Sequence, residues 1–170
     1  GRVIYDATAC PQDIAYPTDL NLLSDAREKL EELIDHIYTK ELHQVKPRTY
    51  RQVARKKYLQ TAQKKNKSRK VIRKANRCQL NFVRRDIAIV NELLDLYQTK
   101  NLKFPLNPSQ QKYLFVVQTL YDQQKQMFDT NTHSVEHRIV SIHQPHVRPI
   151  VRGKAQAKVE FGSKIHISVI

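Results

Sequence analysis

Two hydrophobic rhythms divide the chain. Near its ends apolar residues recur at every second position, and between them they recur at helical spacing. "RVIYDATA" (2–9) is apolar and β-branched up to Asp6 and predicts a strand that ends there. "RIVSIHQ" (138–144) sets Val140 and Ile142 against Ile139, Ser141 and Gln144, and predicts a second strand. In "KVEFGSKIHISVI" (158–170) Val159, Phe161, Ile165, Ile167 and Val169 alternate with polar partners around Gly162. A glycine at that point predicts a bulge or turn between two strands.

The stretch from Thr18 to His133 is helical in period. Leu20, Leu23, Leu30, Leu33, Ile34 and Ile37 form one stripe, with Thr18 or Asp19 as N-cap and Pro47 beyond the end. A second helix is predicted from Tyr50 to Lys65, through Tyr50, Ala54, Tyr58 and Ala62. A third runs from Ser68 to Lys100 on Ile72, Ala75, Phe82, Ile89, Leu93 and Leu96. Asn107 followed by Pro108 is a cap and first-turn pair, opening a fourth helix through Leu114, Val117, Leu120 and Phe128. Isolated strand pairs are marginal in water, so the end strands are expected to meet in one sheet. The fold class is therefore α+β. A first strand (1–17) and later strands (134–170) flank a basic four-helix insertion (18–133).

Charge changes the picture most. The 170 residues carry a net charge of +14 with 30 Lys and Arg, which speaks of partners rather than of fold. Between Glu41 and Asp86 there is no acid, while residues 42–85 hold sixteen Lys and Arg. Like charges four apart on a helix repel, so the run calls for anions. The first helix and its flank bring seven acids, Asp19, Asp25, Glu28, Glu31, Glu32, Asp35 and Glu41. These could pair with the basic helices, but seven cannot neutralise sixteen. The surplus points to phosphate-backbone contact, largely independent of base sequence and sensitive to salt. A membrane surface is the weaker partner, because the apolar residues of these helices are needed between helices. No apolar run approaches the ~20 residues that span a bilayer.

Other chemistry is thin. Cys10 and Cys78 stand far apart with no C-x-x-C, which fits a reducing, cytoplasmic setting and no zinc knuckle. Three glycines argue against a Gly-rich phosphate loop. His133, His137, His143 and His146 crowd together, but without a cysteine and with Pro145 among them they read as polar or phosphate-contacting residues rather than a metal site. The tyrosines, mostly at helical spacing, read as core residues with a wet hydroxyl. Asp6 keeps two readings, a turn carboxylate or a ligand for a hard divalent cation. The Gly start and the apolar end "KIHISVI" predict a piece of a longer protein.

Four runs bear a family resemblance: "DATACPQDIAYPTDLNLLSDAREKLEELID", "KPRTYRQVARKKYL", "VRRDIAIVNELL" and "SVEHRIVSIHQPHVRPIVRGKAQAKVEFGSKIHISV". Together they resemble the central part of a bacterial insertion-sequence transposase of the DDE type, over essentially the whole chain. The resemblance implies a partial ribonuclease-H-like sheet, with Asp6 in the "DAT" word as the first of three metal-binding carboxylates. It implies Mg²⁺ or Mn²⁺ in the complete enzyme, with transposon ends and target DNA as partners in a bacterial, nucleoid-associated setting. The second Asp and the Glu of that pattern are not found here. Glu160 falls in the "VEFG" word and takes no catalytic place, and Asp13 and Asp19 have no assigned role. The fragment alone is accordingly expected to be inactive. DNA contacts are expected from Arg51, Arg55, Lys56, Lys57, Arg69, Lys70, Arg73 and Lys74 on the helices, and from Arg148, Arg152 and Lys154 nearer the sheet. Two alternatives stand beside this reading. One is a non-catalytic nucleic-acid-binding helical module, and the other is an interaction protein whose acidic and basic helices pair in a homodimer.

Overall fold

The computed structural model describes the backbone of residues 4–11, 17–151 and 159–169, and the side chains of 17–150, Val159 and Phe161. Among the described residues the element order is β1 (Ile4–Pro11), α1 (Asp19–Ile37), α2 (Arg51–Ala62), α3 (Arg69–Thr99), α4 (Pro108–Thr130), β2 (Arg148–Val151) and β3 (Val159–Val169). These strands form one antiparallel sheet in the order β1-β3-β2. The fold is α+β, with the helices lying between strands that meet from opposite ends of the chain.

Three of the helices begin where the sequence supplies a substitute acceptor for the first free N–H groups. Thr18 Oγ1 accepts from Asn21 N at 3.2 Å, and Ser68 Oγ from Val71 N at 3.4 Å. Asn107 makes a reciprocal capping box with Gln110, at 2.9 and 3.0 Å, with Pro108 in the first turn. Helix α2 differs: its N-cap Tyr50 has φ 56° and makes no side-chain cap. At the other end of α4, Asn131 closes the helix in the left-handed region, donating its N–H to Met127 O.

The core is built on α1. Leu23, Leu30, Ile34 and Ile37 are fully buried and meet Val83 and Val90 of α3, and Val117 and Leu120 of α4. The chain after α4 does not form the strand expected at 138–144. Ile139, Val140 and Ile142 are all buried, so the apparent alternation serves a loop that closes over the helices. Side chains satisfy its backbone where a ladder would have done so. Gln123 Oε1 accepts from Ile139 N at 2.9 Å, and Ser141 Oγ accepts from Gln144 N at 3.2 Å.

Two further expectations about strands are corrected. Strand β1 does not stop at Asp6 but continues to Pro11, because β3 supplies partners throughout; Asp6 lies inside the strand, opposite Ile167. Gly162 interrupts nothing either. It is a buried residue within one continuous strand, paired with Pro11 on one side and Arg148 on the other. It marks where the partner of β3 changes from β2 to β1.

Polar groups are also enclosed. Arg27, 1% exposed, donates to Glu31 Oε1 at 2.5 Å and to Glu28 Oε1 at 2.8 Å. Asp86 of α3 is fully buried, and neither of its carboxylate oxygens has a hydrogen-bond partner among the described residues. Burial and the nearby Glu31 carboxylate push its carboxyl up to about 7, against the opposing pull of Arg27, Arg85 and Arg51. Between the ordinary carboxylate range and pH 7 the folded chain keeps a proton that the unfolded chain releases. The contribution of Asp86 to stability is therefore highest in acid and falls as pH rises towards 7. Asp86→Asn should flatten that slope and raise stability at pH above 7 by on the order of 2 kcal/mol. Urea midpoints of the two proteins on either side of neutrality check this; parallel pH profiles would show that Asp86 is not the titrating group.

Candidate nucleic-acid interface

The acid-free stretch folds into α2, the turn after it, and the first half of α3. These elements pack together through Gln79, whose Nε2 donates to Ala54 O at 3.0 Å, and through Lys57, whose Nζ lies 5.6 Å from the Phe82 ring centre. Among the described residues, only Lys46 and Arg51 of the sixteen cations in 42–85 reach an acid, and both reach the same one, Asp35, at 2.8 Å each. The hydrogen bond from Arg51 holds the Asp35 carboxyl below its ordinary range. Three other acids of α1 are taken within that helix, Glu28 and Glu31 by Arg27 and Glu32 by Lys29. Asp19 accepts from Arg138 at 2.7 Å. The acidic first helix thus leaves the basic pair almost wholly unneutralised.

Aromatic rings take up part of the cationic surface. The guanidinium carbon of Arg85 lies 4.7 Å, and that of Arg48 5.4 Å, from the Tyr50 ring centre. Tyr50 is 42% exposed, so the expectation that the tyrosines are core residues fails here. The others follow it more closely. Tyr58 donates to Asn21 Oδ1 at 3.1 Å and Tyr97 to Ile37 O at 2.9 Å, and both are half-buried. A left-handed conformation at a bulky residue costs about 1–2 kcal/mol, and Tyr50 adopts it at the head of α2. Sequence spacing gave no hint of this, because the ring's neighbours come from two separate segments.

The expected DNA-binding residues separate into groups. Arg55, Lys56 and Lys57 are exposed on α2, and the first two border a shallow depression with Gln52, Leu59, Gln60 and Gln63. Arg69, Lys70, Arg73 and Lys74 are exposed on the first two turns of α3. Arg73 is less free than its exposure implies, lying 4.1 Å over the Phe128 ring and donating to Asn131 Oδ1 at 3.2 Å. Arg51 is committed to Asp35. Arg148 turns back on its own loop, its guanidinium donating to Pro145 O and, at 2.9 Å, to Val147 O. Arg152 and Lys154 lie outside the described residues, as does the side chain of Asp6.

The histidine-rich segment does not converge. His143 Nδ1 lies 3.3 Å from the Tyr113 hydroxyl, and His137 Nε2 lies 3.4 Å from Glu136. His133 faces a separate cleft. Among the described residues no group of three or more His, Cys, Asp or Glu is placed to hold a metal ion. Asp6 is a single carboxylate, and one carboxylate does not make the oxygen cage that a pair of hard divalent ions needs. The described residues therefore do not fit a two-metal centre.

Among the described residues no helix is long and apolar enough to cross a membrane. Comparison with family models, with curated proteins and with solved structures finds no match to this chain. The charge geometry carries the next prediction. Asp35→Asn releases Lys46 and Arg51 and should raise duplex-DNA affinity about threefold at low salt, with a smaller gain at physiological salt. Fluorescence anisotropy on an unrelated-sequence duplex measures it; an unchanged affinity would place both cations away from the bound phosphates.

Proposed function

We propose that this chain binds DNA through α2 and the first half of α3, as part of the catalytic region of a DDE-type transposase. The observation that carries the binding half is the charge imbalance on two packed helices and their flanks: sixteen cations, of which two meet an acid among the described residues. Phosphate oxygens are the abundant partners for such a surface, and release of their counterions drives binding. The exposed cations of α2 and α3 recur with helical spacing on rigid elements, which suits contact with successive phosphates and not with base edges.

The transposase half of the proposal rests on the family resemblance. It is supported by the pairing of β1, which carries Asp6, with the C-terminal strand β3, so that the whole helical body stands as an insertion between two strands of one sheet. In that reading Asp6 would be one of three carboxylates holding Mg²⁺ or Mn²⁺, which would supply Lewis-acid chemistry for phosphoryl transfer once the other two carboxylates were in place. This chain's own contribution is then to hold the DNA backbone against the sheet's partner elements. Further carboxylates are needed before any strand is cut.

Two outcomes are expected. Charge reversal of Arg69, Lys70, Arg73 and Lys74 to Glu should weaken binding about a hundredfold or more at low salt, alike for unrelated duplexes. It should also lower the salt slope by about 1 for each phosphate no longer engaged; weakening confined to one sequence would mean base readout. The chain alone should bind a supercoiled plasmid without nicking it in Mg²⁺ or Mn²⁺. Metal-dependent nicking that disappears in Asp6→Ala would overturn the inactive-fragment reading and make Asp6 sufficient with groups already present.

A further inference from the structure

Between the first turns of α3 and the last turns of α4 lies a half-open cleft of about 310 Å³, a volume in the range of small-ligand sites. Its floor is apolar, formed by Ile72, Leu80 and Met127. One wall is the Phe128 ring with the Arg73 guanidinium stacked 4.1 Å from its centre. Arg69, Lys70 and His133 stand on the rim, at the positive end of a 31-residue helix. The acid lining the cleft, Asp19, is already satisfied by Arg138 at 2.7 Å and by Gln124 at 3.1 Å. The site therefore offers an apolar slot beside an aromatic–guanidinium stack, with an unneutralised cationic edge.

Few common ligands match both halves. Inorganic phosphate would use the rim and leave the apolar floor wet, and an apolar molecule would leave the cations unpaired. A flat ring carrying a phosphate on a short arm satisfies both. We infer that this cleft binds a single nucleotide unit, with its base over Ile72 and Met127 beside the Arg73–Phe128 stack and its phosphate against Arg69 and Lys70. The inference rests on the nucleic-acid reading for its ligand and shares Arg69, Lys70 and Arg73 with the proposed interface, while α2 takes no part in the cleft. The unit is either a free nucleotide or the unpaired end of a DNA strand, two sources of one chemistry.

Met127 is the only methionine in the sequence, so a protein labelled at its methionine methyl reports on the cleft floor with one NMR signal. Titration with dAMP should move that signal saturably, and inorganic phosphate at the same concentrations should leave it in place. A duplex with an unpaired terminal nucleotide that moves the signal where a blunt duplex does not assigns the site to strand ends. Equal silence of both duplexes beside a dAMP response assigns it to free nucleotide. Ile72→Trp fills the slot without changing charge, at a position already 39% exposed. It should weaken the dAMP response at least about tenfold, a change of some 1.4 kcal/mol, and a retained cooperative thermal transition shows that the variant is folded. No movement with dAMP or either duplex, in a protein that still binds duplex DNA by anisotropy, overturns the cleft and leaves the proposed function standing. A dAMP response in a protein that binds no duplex overturns the proposed function and keeps the cleft. A response undiminished in Ile72→Trp places the nucleotide elsewhere and overturns the inference.

Discussion

One enclosed ion pair, Arg27 with Glu31 inside α1, sets how much acid the neighbouring helices meet. Arg27 sits beneath the helix surface and takes both Glu28 and Glu31, at 2.8 and 2.5 Å, so the most basic neighbours of α1 find these acids already engaged. An enclosed carboxylate without a partner is strongly unfavourable, and an arginine four residues away is the nearest partner the chain can offer. Had α1 lacked Arg27, the acids facing α3 would draw on the cations of α2 and α3. A contact turned inward thus keeps two acids away from the outward positive surface.

The same junction explains the state of Asp86. It enters the core from α3 close to Glu31, so two carboxylates compete for Arg27, which has already been engaged by α1. Burial resolves the competition by favouring the neutral acid. A helix pair carrying so many bases thus buries one of the few acids in α3 in a form that contributes no negative charge at mildly acid pH. The cations around it are correspondingly less neutralised.

Much of this was legible in the sequence, for reasons that differ by element. Helix starts depend on side chains a few residues apart, so Thr18 and the Asn107–Pro108 pair could be read directly. The stripe of α1 is a local period and appears as expected in the core. Residues 138–144 misled because a buried loop and a strand both place apolar side chains at short intervals; only the presence of a partner strand separates them. Gly162 misled in the opposite sense, since two neighbours hold it in an extended ladder that its own flexibility would not favour. In the candidate interface, the surplus of positive charge is a matter of counting and was readable. The commitment of Arg51 to Asp35, the stacking of Tyr50 with two arginines, and the return of Arg148 onto its own loop depend on how the folded chain brings separate groups together. No local pattern encodes them.

The pairing of Ile4 with Val169 spans nearly the entire chain, whereas the contacts that build the helical core lie within its middle. Closing so long a loop is entropically costly before any ladder bond forms, and rates of folding fall as contacts become more distant in sequence. During synthesis β1 leaves the ribosome well before β3, and the ladder between them cannot form until β3 has been made. The open edge of β1 is then exposed throughout the time in which the helices assemble, and that interval is when the chain is most vulnerable to pairing with a neighbour instead of with itself.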